Sequence, residues 1–163
     1  MADSTSKGKT FGNLEQKVNA YLKVSGNCAQ SSFLALKEAF GLEDGGVLKA
    51  LTPFPGLAYR DGVCGTLIGC TMALGIVFGR EDLDDWGGYI RSIPPVREFF
   101  RRFKKEVGGM MCSELVESEF GDKFESIEPA ETRRWLEAGA MEKCTATAQK
   151  GVRIAAEIIM DKR

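Results

Sequence analysis

The sequence predicts an all-α fold, a single-domain bundle of about six to eight helices, some of them short. Apolar residues recur at the three- and four-residue spacing of a helix face along most of the chain. No segment alternates between apolar and polar residues with the β-branched bias of a strand. The chain has 163 residues, enough for one domain with its own core, and we predict a flexible tail over residues 1–10 before a helical domain over residues 11–163.

Three helices are predicted in the first part of this domain. Apolar spacing indicates one over residues 11–24 and a second over residues 28–40, which Asn27 is suited to cap. A short helix is predicted over residues 44–50, ahead of a loop rich in proline and glycine at residues 52–56.

A strongly apolar helix is predicted over residues 63–78. Gly65, Gly69 and Ala73 lie four residues apart on one side of it. Such a strip of small residues lets the backbone of another helix approach closely. We therefore expect a tight helix pair at this strip.

Prolines and glycines divide the rest of the chain. Pro94 and Pro95 predict a break in the next helical stretch, after which a helix continues from Pro95. A short helix is predicted from about Cys112, followed by a loop over residues 120–130. Two final helices are predicted to meet at Gly139.

The composition excludes several classes of function. The net charge of −1 gives no electrostatic footprint for nucleic acid, and no run of about 18 apolar residues predicts insertion into a membrane. The chain has no histidine, which excludes imidazole-activated nucleophiles, histidine-ligated zinc and c-type haem attachment. Residues 1–10 lack the apolar core of an export signal, so a cytoplasmic location is expected, with reduced or metal-bound thiols.

Four of the five cysteines, Cys28, Cys64, Cys112 and Cys144, lie close to predicted helix starts. A helix N-terminus carries unpaired N–H groups and partial positive charge, which favour the thiolate that binds metals and carries out redox chemistry. Each of the four has a glycine nearby, and Gly65 would let the backbone approach a metal or cofactor closely. We predict one shared site in which the four cysteines are the ligands and Gly65 contacts the bound group.

The fifth cysteine, Cys70, is expected to differ from the others. It follows Cys64 by six residues in the same predicted helix, and at about 100° per residue it faces away from Cys64. Its sequence neighbours are mostly apolar, so we predict that it is a core residue.

The order of these elements resembles the C_GCAxxG_C_C family of redox-active proteins, which is named for its cysteine pattern. The resemblance covers about residues 12–160 and rests mainly on Asn-Cys-Ala-Gln at 27–30, Cys-Gly-Thr-Leu-Ile-Gly at 64–69, Cys-Ser-Glu-Leu at 112–115, and Cys144. The family pattern spells Gly-Cys-Ala, whereas Val63 precedes the second motif cysteine here and glycine follows it. The resemblance implies a redox or metal-binding role for the four motif cysteines.

Three functions fit such a site. In the first, a non-enzymatic electron carrier holds an iron–sulfur cluster, either 2Fe–2S or 4Fe–4S, through the four cysteines. In the second, Cys28 and Cys64 cycle as a thiol–disulfide oxidoreductase pair, although no Cys-x-x-Cys motif supports this. In the third, four cysteines hold a structural zinc ion. We favour the first, with an unidentified redox partner protein. The sequence leaves open whether the chain is an enzyme and is compatible with a homodimer.

Overall fold

The computed structural model describes residues 2–59, 62–121, 134 and 137–162. Within these ranges the chain forms eight helices: α1 (Ala2–Ser25), α2 (Cys28–Phe40), α3 (Val47–Ala50), α4 (Gly56–Tyr59), α5 (Gly65–Phe78), α6 (Trp86–Val107), α7 (Cys112–Phe120) and α8 (Ala140–Lys162). The predicted all-α fold is confirmed. The described residues contain no strand, and their β-type pairing is one antiparallel bridge between Val63 and Met111. None of the helices in these ranges combines the length and apolar character needed to cross a bilayer.

The core lies between the five longest helices. Helix α2 packs most extensively against α5, and α8 contacts α1, α2, α5 and α6. The largest side chains in this core include Phe33 of α2, Leu74 of α5, Phe99 and Phe103 of α6, and Ile159 of α8, all of them fully buried. Each such side chain stabilises the fold by about 1.5–3 kcal/mol, so apolar burial supplies most of the driving force for folding.

The small residues of α5 form the predicted close contact with α2. A Cβ atom at Gly69 would lie 2.2 Å from the backbone oxygen of Ala29, and one at Gly65 would lie 2.5 Å from the sulfur of Cys28. Ala73, further along the same strip, is fully buried. The contact therefore brings the N-terminal ends of α2 and α5 together.

Helix α1 begins earlier than the sequence predicted. The structure has helix from Ala2 onwards, where a tail over residues 1–10 was expected. The apolar face on which the prediction depends starts only at Phe11, and extending an existing helix is far easier than starting one. The division of the chain into a tail and a domain stays a prediction.

The predicted break at Pro94 and Pro95 is wrong, because α6 runs through both residues. The φ angle that proline fixes is compatible with a helix. The cost of the two prolines is limited to the loss of two backbone N–H donors and to crowding against the preceding turn. Pro95, Phe99 and Phe103 are buried, whereas Ile90, one turn before Pro94, is 63% exposed. Packing of the second half therefore fixes the direction of the helix.

Other helix bounds differ less from the prediction. Helix α3 begins at Val47 and α5 at Gly65, each slightly later than the apolar pattern indicated. Helix α4 is a single turn in which Leu57 and Ala58 have left-handed dihedral angles. The loop predicted over residues 120–130 and the first of the two final helices lie largely outside the described residues.

Replacing Gly69 with alanine tests the contact between α2 and α5. We expect Gly69→Ala to lower the free energy of unfolding by about 1–3 kcal/mol, because the new methyl group would press on the backbone of Ala29. Urea unfolding followed by circular dichroism measures this change.

The matched control is Gly75→Ala on the same helix. A Cβ atom there meets nothing within 4 Å, and alanine favours a helix over glycine by about 0.5–1 kcal/mol. The control should therefore be slightly more stable than the unaltered protein. Equal effects of the two substitutions would contradict the close approach at Gly69.

Candidate four-cysteine site

The four cysteines singled out in the sequence line one cavity of about 40 Å³. Its lining residues are Cys28, Cys64, Cys112 and Cys144 together with Thr66, Leu115, Val116, Lys143 and Thr147. The lining contains four thiols, one lysine and no carboxylate. The structure therefore brings together four cysteines that span most of the chain, while Cys70 is not among the lining residues.

Three of the four cysteines lie at a helix N-terminus, and the fourth lies further along a different helix. Cys28 is the first residue of α2, Cys112 is the first residue of α7, and Cys64 is the N-cap of α5. Cys144 lies about one turn inside α8, which begins at Ala140. Because helix N-termini carry partial positive charge, this arrangement favours negatively charged sulfur in the cavity.

The start of α2 is held by the cap that the sequence predicted. The side-chain oxygen of Asn27 accepts a hydrogen bond of 3.0 Å from the backbone N–H of Gln30. The side-chain amide of Asn27 donates to the backbone oxygen of Thr52, also at 3.0 Å. These bonds fix the first turn of α2 and, with it, the position of Cys28.

The starts of α5 and α7 are held side by side by the antiparallel bridge. The backbone N–H of Cys64 donates to the oxygen of Met110, and that of Cys112 donates to the oxygen of Gly62, both at 2.8 Å. Two cysteines far apart in the sequence are therefore joined through their own backbone groups. This pairing places both of them at the cavity.

The turn at α4 packs against the third cysteine. A Cβ atom at Gly56 would lie 3.2 Å from both the Cβ and the sulfur of Cys112. The next two residues, Leu57 and Ala58, have φ angles of 48° and 57°. Left-handed backbone costs a residue with a side chain about 1–2 kcal/mol, so surrounding contacts must hold this turn in place.

Thr66 lines the cavity at the start of α5. It is fully buried, and the hydroxyl of Ser32 donates a hydrogen bond of 3.4 Å to its hydroxyl. A Cβ atom at Gly65, the predicted contact glycine, would lie 2.5 Å from the sulfur of Cys28. The first turn of α5 therefore lies directly against Cys28.

Burial opposes ionisation of these thiols. It raises the pKa of Cys28 well above its ordinary value, and the neighbouring Cys64, Cys144 and Cys112 raise that pKa further, in this order. Burial also raises the pKa of Cys64, although hydrogen bonds from Leu67 and Thr66 partly offset the effect. Four thiolates would repel one another here, so a positive centre between them is needed to hold all four ionised.

The donors fit a metal or cluster in kind, but their spacing is not that of a bound ion. Four cysteine sulfurs are the ligands of structural zinc and of iron–sulfur clusters. A tetrahedral zinc ion requires four sulfurs at about 2.3 Å from one point. In the described part of the chain, no group of three or more His, Cys, Asp or Glu side chains is arranged to hold a metal ion.

Sequence reasoning missed Thr66 and Lys143 as site residues. Each is close in the sequence to a predicted site residue, Thr66 after Gly65 and Lys143 before Cys144. That proximity was the available signal. It does not say which neighbour of a cysteine faces the cavity, because this depends on how the helices pack.

Comparison with protein families gives a match over most of the chain. The family described as "Putative redox-active protein (C_GCAxxG_C_C)" matches residues 26–158, which is most of the chain. The matched range contains all four lining cysteines. No curated protein and no solved structure matches the chain.

Replacing Cys70 separates packing from ligand binding. Cys70 is fully buried in the core, as predicted, so Cys70→Ala should lower the free energy of unfolding by about 1 kcal/mol. It should not change the iron, sulfide or zinc content of protein purified without oxygen, whereas Cys112→Ala should reduce it. Metal lost from Cys70→Ala and retained by Cys112→Ala would show that the ligands are assigned wrongly.

Proposed function

The chain belongs to the C_GCAxxG_C_C family of redox-active proteins, and we propose that it transfers electrons through an iron–sulfur cluster bound by Cys28, Cys64, Cys112 and Cys144. The observation that carries the proposal is the convergence of four cysteines from four helices on one cavity. A dithiol enzyme needs two cysteines, whereas 2Fe–2S and 4Fe–4S clusters both take four. A bound cluster would supply a centre that accepts and releases one electron at a time.

The charge around the cavity supports a negatively charged centre. Four thiolates with two ferric ions and two sulfides carry a net charge of about −2. The N-termini of α2, α5 and α7 would offset part of this charge, and Lys143 is the one basic side chain in the cavity lining. No lining residue is a carboxylate that would add to the repulsion.

The rest of the lining supports electron transfer over substrate chemistry. Leu115 and Val116 are buried and give part of the cavity an apolar wall, which limits the access of water. The sequence contains no histidine to serve as an acid or base at the site. The four cysteines would therefore hold the centre, and the helix N-termini would stabilise its charge.

A second candidate function rests on Cys28 and Cys64 alone. Both sulfurs line the cavity, and a Cβ atom at Gly65, the residue after Cys64, would lie 2.5 Å from the sulfur of Cys28. Such a pair could form a disulfide by passing two electrons and two protons to a partner disulfide, and it could be reduced again by a partner dithiol. This function would leave Cys112 and Cys144 without a chemical role.

Cofactor analysis of protein purified without oxygen tests the proposal. We expect iron and sulfide in equal amounts, visible absorbance, and a reversible one-electron step that electron paramagnetic resonance detects after reduction. Serine in place of any one of the four lining cysteines should remove or strongly destabilise the cluster, because serine replaces a thiolate ligand.

Cys70→Ala is the matched control, since this cysteine is buried outside the cavity lining and should keep the cluster. Two results would contradict the proposal. A two-electron couple that depends on Cys28 and Cys64 alone would indicate the oxidoreductase. Zinc without iron or sulfide would indicate a structural site.

A further inference from the structure

We propose that the outward face of α6, together with the turn before it, is a docking surface for a second copy of this chain, with the two α6 helices packed antiparallel. This α6 surface has three parts in chain order: an acidic turn over residues 81–85, an apolar segment over residues 86–94 and a basic segment over residues 97–105. No residue of the surface lines the four-cysteine cavity, so the inference does not depend on the proposed electron transfer.

The apolar segment of the α6 surface is exposed in one copy of the chain. Trp86 is 68% exposed and Ile90 is 63% exposed, and Leu83 in the acidic turn is 79% exposed. Single exposed apolar side chains are ordinary in proteins, but several large ones close together mark contact surfaces. The core-facing side of α6 is separate, because Phe99 and Phe103 on that side are fully buried.

The basic segment continues the same face of α6. It carries four exposed cations: Arg97, Arg101, Lys104 and Lys105. None of the four forms an ion pair with any residue that the structure describes. At about 100° per residue, Arg97, Arg101 and Lys104 lie within about 60° of Trp86 around the helix axis. The apolar and basic segments therefore face a partner together.

The acidic turn carries the opposite charge at the other end of the surface. It contains four exposed carboxylates: Glu81, Asp82, Asp84 and Asp85. Among the described residues, the ion pair of this group is a long one, 3.7 Å from Asp85 to Arg91. The turn therefore keeps a net negative charge that faces solvent in one copy of the chain.

Arg80 holds the acidic turn and the first aromatic side chain of α6 in place. Its guanidinium donates to the backbone oxygens of Leu83 and Asp85, at 2.5 and 3.2 Å. The same group lies over the ring of Trp86, 5.5 Å from the ring centre. A surface that is already ordered loses less conformational entropy on binding, which favours association.

A second copy of this chain matches the order of charges when its α6 runs antiparallel. A two-fold axis near the middle of the α6 surface would place each acidic turn opposite the basic segment of the other copy. Four carboxylates would then face four cations at each end, with the two apolar segments between them. A nucleic acid would meet the basic segment but would be repelled by the acidic turn, so a second copy suits the whole surface better.

Sedimentation equilibrium of the full chain tests the proposal, with a thiol reductant present to prevent disulfide-linked dimers. We expect a dimer at about 100 μM protein that dissociates on dilution, because one helix face makes a small interface. Glu81→Lys combined with Asp84→Lys should weaken dimerisation by about tenfold, since lysines would then face the basic segment. Arg101→Glu combined with Lys104→Glu should weaken it similarly. All four side chains are exposed, and circular dichroism checks that both variants are folded.

The variant with all four substitutions exchanges the charges of the two ends and keeps the net charge at −1. It should dimerise like the unaltered protein, because opposite charges again face each other in the antiparallel pair. A fourfold variant as weak as the two double variants would overturn the antiparallel arrangement.

The apolar segment is tested by Ile90→Gln, which should weaken dimerisation by about tenfold because the dimer would bury less apolar surface. Val24→Gln is the matched control, since Val24 is 90% exposed but belongs to α1, and it should leave dimerisation unchanged. Equal weakening by these two substitutions would overturn the proposal. A monomer at about 100 μM would also overturn it, whether or not that monomer binds a double-stranded DNA probe.

Discussion

The close approach of α2 and α5 is the contact on which the rest of the site depends. It exists because Gly69 has no side chain where the backbone oxygen of Ala29 lies. Cys28 begins α2 and Cys64 caps α5, so this one contact brings two of the four cysteines together at the cavity. A larger residue at Gly69 would therefore disturb the core and the cysteine site together.

Ionising the thiols at this site requires compensation for charge. Burial and the proximity of other cysteines both oppose ionisation of Cys28. The fold supplies partial compensation through the N-termini of α2, α5 and α7 and through Lys143 in the cavity lining. These groups suit a negatively charged centre, and a metal would supply the remaining positive charge.

Much of the fold could be predicted from local sequence patterns. Apolar spacing, Asn27 and the glycines locate most of the described helices, because these signals act within a few residues. The helix starts also located the four cysteines that line the cavity. The sequence wrongly predicted a helix break at Pro94 and a later beginning of α1. At these two places packing or helix extension outweighed local propensity.

The remaining features of the site depend on contacts between distant residues. The antiparallel bridge pairs Cys64 with Met110 and Cys112 with Gly62 through backbone hydrogen bonds. The sequence has no strand pattern at these residues that would predict it. The position of the Thr66 side chain depends on Gly151, which is far away in the sequence and has no side chain where the Thr66 methyl group lies. Neither feature can be derived from spacing along one helix.

The central claim is that four cysteine sulfurs, and no other side chains, hold the redox centre. X-ray absorption at the iron edge of the cluster-loaded protein tests this most directly. The account predicts that iron is surrounded by sulfur alone, since both cluster types with four cysteines have only cysteine and sulfide ligands. An oxygen or nitrogen atom bound to iron would contradict it, because a residue outside the four cysteines would then be a ligand.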